Sequence, residues 1–248
     1  MSPTCAATPG APPTGQEVLE SLTFFLPKKG ESVAIIGVSQ NGKTTLAFHW
    51  AAALQRAGVR SLAWDPDWQW SEALRPTHGE REYGPMARSV TVEELERDSD
   101  LLLDRNLSLA VRPTDRWAPD AQIAEEFARF AWMVIRAHPG GRLALWIDEC
   151  HILRASDEAM ALLDAMALRW GKEGPVPFLI TQRWTHLSAD VRAEVAWLIS
   201  FHQNKPSDLR QMRMDAGKLM ADAVGDLEPF QYRVRFLRKR LKDATEAA

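Results

Sequence analysis

A glycine-rich segment at residues 37–44 has the residue types and spacing needed to bind a polyphosphate. Its sequence, GVSQNGKT, fits the pattern G-x-x-x-x-G-K-[ST]. The glycines permit a tight turn of converging N–H groups, the lysine brings positive charge to the β- and γ-phosphates, and the hydroxyl can coordinate Mg²⁺. A chance match is the alternative, but this segment follows an apolar strand and opens a helix, as phosphate binding requires. The predicted nucleotide-binding residues are Gly37, Ser39, Gln40, Asn41, Gly42, Lys43, Thr44 and Thr45.

Two adjacent carboxylates follow a second apolar segment. Residues 143–147 predict a buried strand, and Asp148 and Glu149 come directly after it. An aspartate in this position can hold Mg²⁺ together with the Thr44 hydroxyl, and the neighbouring glutamate can polarise an attacking water. Because side chains alternate along a strand, a bend is needed to aim both acids inward. The alternative is a strand that ends in solvated acids.

A third polar residue, Gln182, ends the strand predicted at 175–181. Its amide can hydrogen-bond to a γ-phosphate or to the attacking water, and would then report hydrolysis to the residues that follow. An amide that only caps a strand end is the alternative. The sequence lacks the N-K-x-D motif of GTPases and the L-S-G-G-Q motif of transporters. The three segments described above therefore favour an ATPase with a catalytic glutamate.

Alternating strands and helices must position these residues. Apolar runs predict strands at 32–37, 60–64, 106–111, 143–147, 175–181, 195–201 and 231–236, and helices at 43–57, 91–103, 120–138, 156–170 and, with breaks, 206–224. This alternation indicates an α/β fold with a mostly parallel central sheet flanked by helices. We predict one domain over residues 16–236, with a polar, irregular insertion at 71–106 in which Thr91 and Glu94 form a capping box.

The composition is that of a globular chain. Of 248 residues, 46% are hydrophobic and 25% are charged. No run approaches the roughly 18 apolar residues of a membrane helix, and no basic residue precedes Lys28, so we expect a cytoplasmic protein without a membrane partner. The net charge of -3 argues against coating nucleic acid through bulk charge, although a local basic strip remains compatible with it. We predict a disordered leader over residues 1–15 and a basic tail over 237–248.

The combined motifs resemble the FtsK–HerA superfamily of DNA-pumping ATPases. Four segments carry the resemblance: GVSQNGKT at 37–44, LAWDPDWQW at 62–70, LALWIDECH at 143–151 and FLITQRW at 178–184. Their order and spacing agree over residues 32–202. The resemblance implies a P-loop NTPase fold of the RecA-like, additional-strand type. It also implies an ATPase that uses ATP and Mg²⁺, assembles into a homohexameric ring, and threads DNA, expected to be double-stranded, through its pore.

The resemblance further implies an arginine finger, donated to a neighbouring subunit from just before the strand that carries Gln182. This sequence departs from the family pattern there, because Gly171 occupies the expected position. Arg169 is the first candidate, since a planar guanidinium suits the spread charge of a γ-phosphate, and Arg183 is the second. Either residue can equally be a surface cation.

Within the superfamily, a motor of this length without visible extra domains most resembles viral genome-packaging ATPases. We therefore expect an ATP-hydrolysing DNA translocase of viral or phage genome packaging, located in the host cytoplasm or the virion, with a capsid or other protein as a further partner. One alternative is a cellular or plasmid DNA translocase or helicase core of the same superfamily. Another is an ATP-dependent switch or assembly factor that does not move DNA.

Several other residues have two interpretations. Asp65 either orients the active site or caps the turn at Pro66. Trp68 and Trp70 either pack in the core or stack on bases or a neighbouring subunit. His151 is either an ordinary core or surface histidine or a link between the acid pair and DNA. A basic run either contacts phosphates or is solvated, and it comprises Arg233, Arg235, Arg238, Lys239, Arg240 and Lys242.

Overall fold

The computed structural model describes residues 27–28, 30–72, 86–137, 143–170 and 175–237. The predicted leader, the tail from residue 238 onward and residues 73–85 of the predicted insertion lie outside these stretches. Within them, no helix combines the length and the apolar character needed to cross a membrane.

A single eight-stranded sheet lies at the centre of the described chain. Its strands are β1 (Val33–Ile36), β2 (Arg60–Trp64), β3 (Arg88–Thr91), β4 (Leu109–Arg112), β5 (Leu143–Ile147), β6 (Val176–Thr181), β7 (Trp197–Phe201) and β8 (Tyr232–Phe236). Their spatial order is β3-β4-β2-β5-β6-β1-β7-β8. All neighbours are parallel except β7 and β8, which are antiparallel. The predicted mostly parallel α/β sheet is therefore confirmed.

Helices pack on both faces of this sheet. They are α1 (Lys43–Arg56), α2 (Gln69–Glu72), α3 (Val92–Arg97), α4 (Asp120–Ala137), α5 (Asp157–Leu168), α6 (Ala189–Glu194), α7 (Pro206–Asp215) and α8 (Lys218–Gly225). The predicted capping box starts α3, because Thr91 Oγ1 accepts from Glu94 N at 3.1 Å and the Glu94 carboxylate accepts from Thr91 N at 2.7 Å. Ser156 caps α5 by accepting from Ala159 N.

Two hydrophobic cores flank the sheet, because alternate side chains of each strand point to opposite faces. On one face, Trp50 of α1 packs on Phe178, with ring centroids 5.1 Å apart, and Phe178 stacks on Trp146 at 4.0 Å. On the other face, Trp64 stacks on Phe130 of α4 at 5.6 Å. All five rings are fully buried. Burial on both faces gives the central strands continuous apolar sequences, which is why their positions could be predicted.

The edge strand β3 was not predicted. It pairs with β4 and lies within residues 71–106, where a polar and irregular insertion was expected. Only Val90 among its four residues is buried, so it lacks the apolar run that marks the central strands. The helix predicted over 91–103 is also shorter than expected, because α3 ends at Arg97 and a 3₁₀ turn, Ser99–Leu102, follows it.

Candidate functional site

The carboxyl ends of three parallel strands bring the predicted motifs to one edge of the sheet. β5, β6 and β1 are neighbours in that order. The acid pair follows β5, Gln182 follows β6 and the phosphate loop, residues 37–44, follows β1. The three segments therefore start side by side at the edge where α/β sheets bind their ligands.

The phosphate loop is a tight turn that depends on its two glycines. Gly42 has a φ of 92°, and α1 begins at the next residue, Lys43. Gln40 also has a positive φ, 64°. At Gly37, a Cβ would lie 2.6 Å from Cβ of Phe201, so the backbone packs too closely on β7 to carry a side chain. Backbone hydrogen bonds of 3.3 Å tie the start of the loop to β6 and to the residue after β7.

Lys43 connects the phosphate loop with the acid pair. Its side chain is buried, and Nζ donates to the carbonyl oxygen of Val38 at 3.1 Å. Burial lowers the pKa of Lys43, whereas the charges of Glu149 and Asp148 act in the opposite direction. These carboxylates must lie close to the ammonium to have this effect. The two motifs, separated by two strands and two helices in the predicted order, therefore belong to one site.

The other loop residues differ in their exposure. Ser39, Gln40 and Thr45 are exposed, Thr44 is partly buried, and Asn41 is buried. Thr44 follows Lys43 on α1, so its hydroxyl lies in the first turn of the helix, beside the backbone N–H groups that have no partner within the helix. This is the position in which a hydroxyl and an anion-binding helix terminus can act together.

Asp148 is buried and held by two hydrogen bonds. Its Oδ2 accepts from Nε1 of Trp70 at 3.0 Å, and its Oδ1 accepts from the backbone N–H of Glu149 at 2.9 Å. Burial, and then the neighbouring Glu149 carboxylate, raise the pKa of Asp148 to about 7. A divalent cation would offset the cost of keeping this carboxylate ionised. Carboxylate and hydroxyl oxygens are the ligand types that Mg²⁺ prefers, so Asp148 and Thr44 fit the metal.

Glu149 has the backbone bend that the acid pair requires, with a φ of 45°. Its Oε2 lies 2.9 Å from Nδ1 of His151, and its carboxylate also interacts with the side chain of Gln182. Burial acts to raise the pKa of Glu149, but His151, Lys43 and Gln182 together outweigh burial and lower it. In return, the contact with Glu149 raises the pKa of His151. Glu149 is therefore ionised at neutral pH and can accept a proton.

Two neighbours of the acid pair were missed by the sequence analysis. Trp70 donates the hydrogen bond to Asp148, and burial together with the charge of Glu149 raises the pKa of Asp67. Both residues come from the segment after β2, which the resemblance had singled out as LAWDPDWQW. Nothing in its spacing indicates which polar groups of this segment face the acids.

The structure also shows the surroundings of Asp65, Trp70 and Trp68 in this segment. Asp65 caps this segment, because Oδ1 accepts from Trp70 N and Oδ2 accepts from the N–H and hydroxyl of Ser71, and it thereby also holds the residue that bonds to Asp148. Trp70 is fully buried and packs in the core. Trp68 lies beneath the guanidinium of Arg112, whose Cζ is 4.1 Å from the ring centroid.

The two candidate arginine fingers have different surroundings. Arg169 follows the last residue of α5 and is exposed, and no ion pair to it is found among the described residues. Arg183 donates from Nε to Oδ2 of Asp208 at 2.7 Å and from Nη2 to Oγ of Ser207 at 2.9 Å. Arg183 is therefore bonded to α7 of its own chain, whereas Arg169 is accessible to a neighbouring molecule.

The basic run lies only partly within the described residues. Arg233 is exposed and Arg235 is partly buried on β8, the antiparallel edge strand. The remaining members lie outside the described residues: Arg238, Lys239, Arg240 and Lys242.

The parallel sheet, the glycine turn and the acid pair at its edge define the class of the fold, which is that of P-loop ATPases. The genome packaging NTPase B204 of Sulfolobus turreted icosahedral virus 2, in complex with AMPPCP, has this fold with a TM-score of 0.59 and 17% sequence identity, over 86% of this chain and 95% of that chain. B204 of Sulfolobus turreted icosahedral virus, a DNA-packaging ATPase, has a TM-score of 0.54 and 17% identity over 86% of this chain and 96% of that chain.

VirB4 of Thermoanaerobacter pseudethanolicus is a further structural neighbour, with a TM-score of 0.54 and 12% identity over 86% of this chain and 90% of that chain. No family model and no curated protein sequence matches the chain. The structural neighbours confirm the predicted P-loop ATPase fold.

Proposed function

We propose that the protein is a Mg²⁺-dependent ATPase that translocates double-stranded DNA as a homohexameric ring. One observation carries the ATPase proposal: the phosphate loop after β1 and the acid pair after β5 lie at the same edge of the sheet, and the buried Lys43 is in the electrostatic field of both acids. A cation for the phosphates, a carboxylate for the metal and a base for water thus lie within one site.

Each residue of this site has a distinct task in the proposed reaction. The loop N–H groups and Lys43 orient the triphosphate, and Thr44 and Asp148 would hold Mg²⁺, which supplies positive charge to the phosphate oxygens. Glu149 polarises a water molecule and accepts its proton as the water oxygen bonds to the γ-phosphorus and the bond to the bridging oxygen breaks. Gln182, which interacts with Glu149, senses this change.

The DNA part of the proposal rests on the structural neighbours, and the ring part rests on the sequence resemblance and on the exposed Arg169. B204 is described as a DNA-packaging ATPase, and its fold covers 86% of this chain. Arg169 is exposed at the end of α5, where its side chain can contact a neighbouring subunit. More specifically, we propose that this motor packages a viral genome. The alternatives are a translocase that serves another cellular process and a switch that acts without DNA.

ATP turnover with and without linear double-stranded DNA tests the motor proposal. We expect strong stimulation by DNA, because a translocase couples hydrolysis to its track. Glu149→Gln is the matched control: it preserves the shape of the side chain, and we expect unchanged ATP binding with turnover reduced by about 10²- to 10⁴-fold.

Two results would contradict the proposal. Turnover that DNA does not stimulate, accompanied by nucleotide-dependent oligomerisation, would support the switch. Turnover that survives in Glu149→Gln would remove this residue from its role as the base. To separate packaging from other translocation, purified capsids can be offered with DNA, and packaging predicts protection of that DNA from nuclease.

A further inference from the structure

Phe230 occupies a backbone position that a bulky side chain rarely adopts. The segment Glu228–Gln231 is a turn closed by a hydrogen bond of 3.1 Å from Gln231 N to Glu228 O. Pro229 is its second residue, and Phe230, the third, has a φ of 66°. A turn with proline second and a positive φ third follows the type II pattern, in which the third residue is usually glycine or asparagine. The left-handed conformation is unfavourable for phenylalanine, and such strain often marks a functional position.

Burial does not explain the aromatic residue at this position. The Phe230 side chain is 58% exposed. The Gln231 side chain also accepts from the backbone N–H of Glu228 at 3.1 Å, so the turn is held independently of the ring. A glycine would satisfy the same turn without strain. The presence of a large, rigid and exposed aromatic surface therefore calls for a partner outside the chain.

The Phe230 ring lies against the end of the phosphate loop. A Cβ on Gly42 would be 2.8 Å from Cδ1 of Phe230 and 3.5 Å from Cε1 of Phe201. Phe201 in turn lies 5.5 Å, between ring centroids, from Tyr232. Phe230 and Phe201 therefore lie against Gly42, immediately before α1 begins at Lys43.

The strand order fixes the direction in which a nucleotide must cross this loop. Glu149 and Gln182 follow β5 and β6, which lie on one side of β1, whereas β7 and β8 lie on the other side. Phe230 precedes β8 and reaches the loop from that other side. A triphosphate whose terminal phosphate faces Glu149 therefore extends its nucleoside toward β7, β8 and Phe230.

We propose that Phe230 forms one face of the base subsite and stacks on the base of the bound nucleoside triphosphate. This proposal rests on the proposed ATPase function and deepens it. Stacking uses the π-face that every base has, so it does not distinguish adenine from guanine. It favours purines over pyrimidines, because the larger ring system covers more of the phenylalanine.

Binding of two probes, a non-hydrolysable ATP analogue and inorganic tripolyphosphate, tests this assignment by titration calorimetry. Phe230→Gly is the central variant, because glycine suits the positive φ and keeps the turn. We expect about tenfold weaker binding of the analogue and unchanged binding of tripolyphosphate, which has no base. Phe230→Tyr should restore analogue binding. Trp132→Ala, which removes a 43% exposed aromatic side chain on α4, should change neither.

Other outcomes would overturn the assignment in distinguishable ways. If Phe230→Gly weakens both probes equally, the ring only shapes the phosphate loop. If it weakens neither but reduces oligomer formation, the ring contacts a neighbouring subunit. If the wild-type protein binds neither probe, the proposed function itself fails. If CTP and ATP analogues bind equally to the wild-type protein, the predicted purine preference is wrong.

Discussion

Replacing Arg183 by alanine tests whether this residue is an intramolecular anchor or an arginine finger. Its Nε donates to Oδ2 of Asp208 at 2.7 Å, and Nη2 donates to Oγ of Ser207 at 2.9 Å. The Asp208 side chain is fully buried, whereas that of Arg183 is 35% exposed. Arg183→Ala leaves a buried carboxylate without its cation, so we expect a less stable protein even in the isolated subunit.

The magnitude follows from what remains around Asp208. Losing a hydrogen bond to a charged group costs about 1.5–3 kcal/mol, and breaking a fully buried ion pair costs about 3–5 kcal/mol. Water can replace part of the exposed guanidinium, and Thr185 still donates to Oδ1 from its N–H at 3.1 Å and its hydroxyl at 2.7 Å. We therefore expect the free energy of unfolding to fall by about 2 kcal/mol, which is within the range for a lost hydrogen bond to a charged group.

The pH dependence of this effect has a defined sign. Burial acts to raise the pKa of Asp208, but hydrogen bonds from Thr185 and Arg183 outweigh it and lower the pKa. Because the folded-state pKa lies below the unfolded one, the stabilisation is present above the unfolded-state pKa and is lost as the pH falls through the folded-state pKa. The stability difference between wild type and Arg183→Ala should therefore narrow on acidification, because the variant has less of this stabilisation to lose.

Urea denaturation of the wild type, Arg183→Ala and Arg169→Ala measures these differences. Arg169 is the matched control, since it is exposed, and its replacement should change stability by less than about 0.5 kcal/mol. Wild-type stability of Arg183→Ala at neutral pH would refute the anchoring argument. Mixing Arg169→Ala subunits with Glu149→Gln subunits examines the finger: regained turnover supports Arg169 acting across subunits, and a mixture as inactive as its components counts against it.

Two further variants probe the site directly. Lys43→Ala removes the ammonium of the phosphate loop, and we expect binding of a non-hydrolysable ATP analogue to weaken by about 10- to 100-fold. Calorimetry measures this affinity on protein whose circular dichroism is unchanged. Unchanged affinity would contradict the loop assignment. Trp70→Phe removes the indole N–H that bonds to Asp148 at 3.0 Å. We expect the free energy of unfolding without nucleotide, measured by urea denaturation, to fall by about 1–3 kcal/mol. An unfolding midpoint equal to that of the wild type would show that this hydrogen bond has no net effect.

The predicted elements succeeded where their signal was strong and local. The central strands are buried on both faces, so each reads as an apolar run, and β5 was predicted with the bounds that the structure has. The edge strand β3 escaped prediction because only Val90 of its residues is buried. The antiparallel pairing of β8 with β7 also had no local signal, since a strand's direction in a sheet depends on its connections.

In the candidate site, too, residues with a local sequence signal could be predicted, and residues that meet only through the fold could not. Gly37, Gly42 and Lys43 could be predicted as members of a phosphate loop, because such a turn places its requirements on residues close together in the sequence. Phe230 could not be recognised in this way, because its contact with Gly42 depends on a turn nearly two hundred residues later in the chain. The different surroundings of Arg169 and Arg183 likewise depend on the position of Asp208 on α7.

Sequence alone determined the class of fold and predicted the phosphate loop and the acid pair, because glycine turns and apolar runs are properties of adjacent residues. Tertiary structure decided which groups surround the acids: Trp70 bonds to Asp148 across 78 residues, while Glu149 interacts with His151 nearby and with Gln182 from the next strand. The physical reason is that a hydrogen bond or an electrostatic contact depends on distance in space, and the folding of the parallel sheet brings distant segments to a common edge.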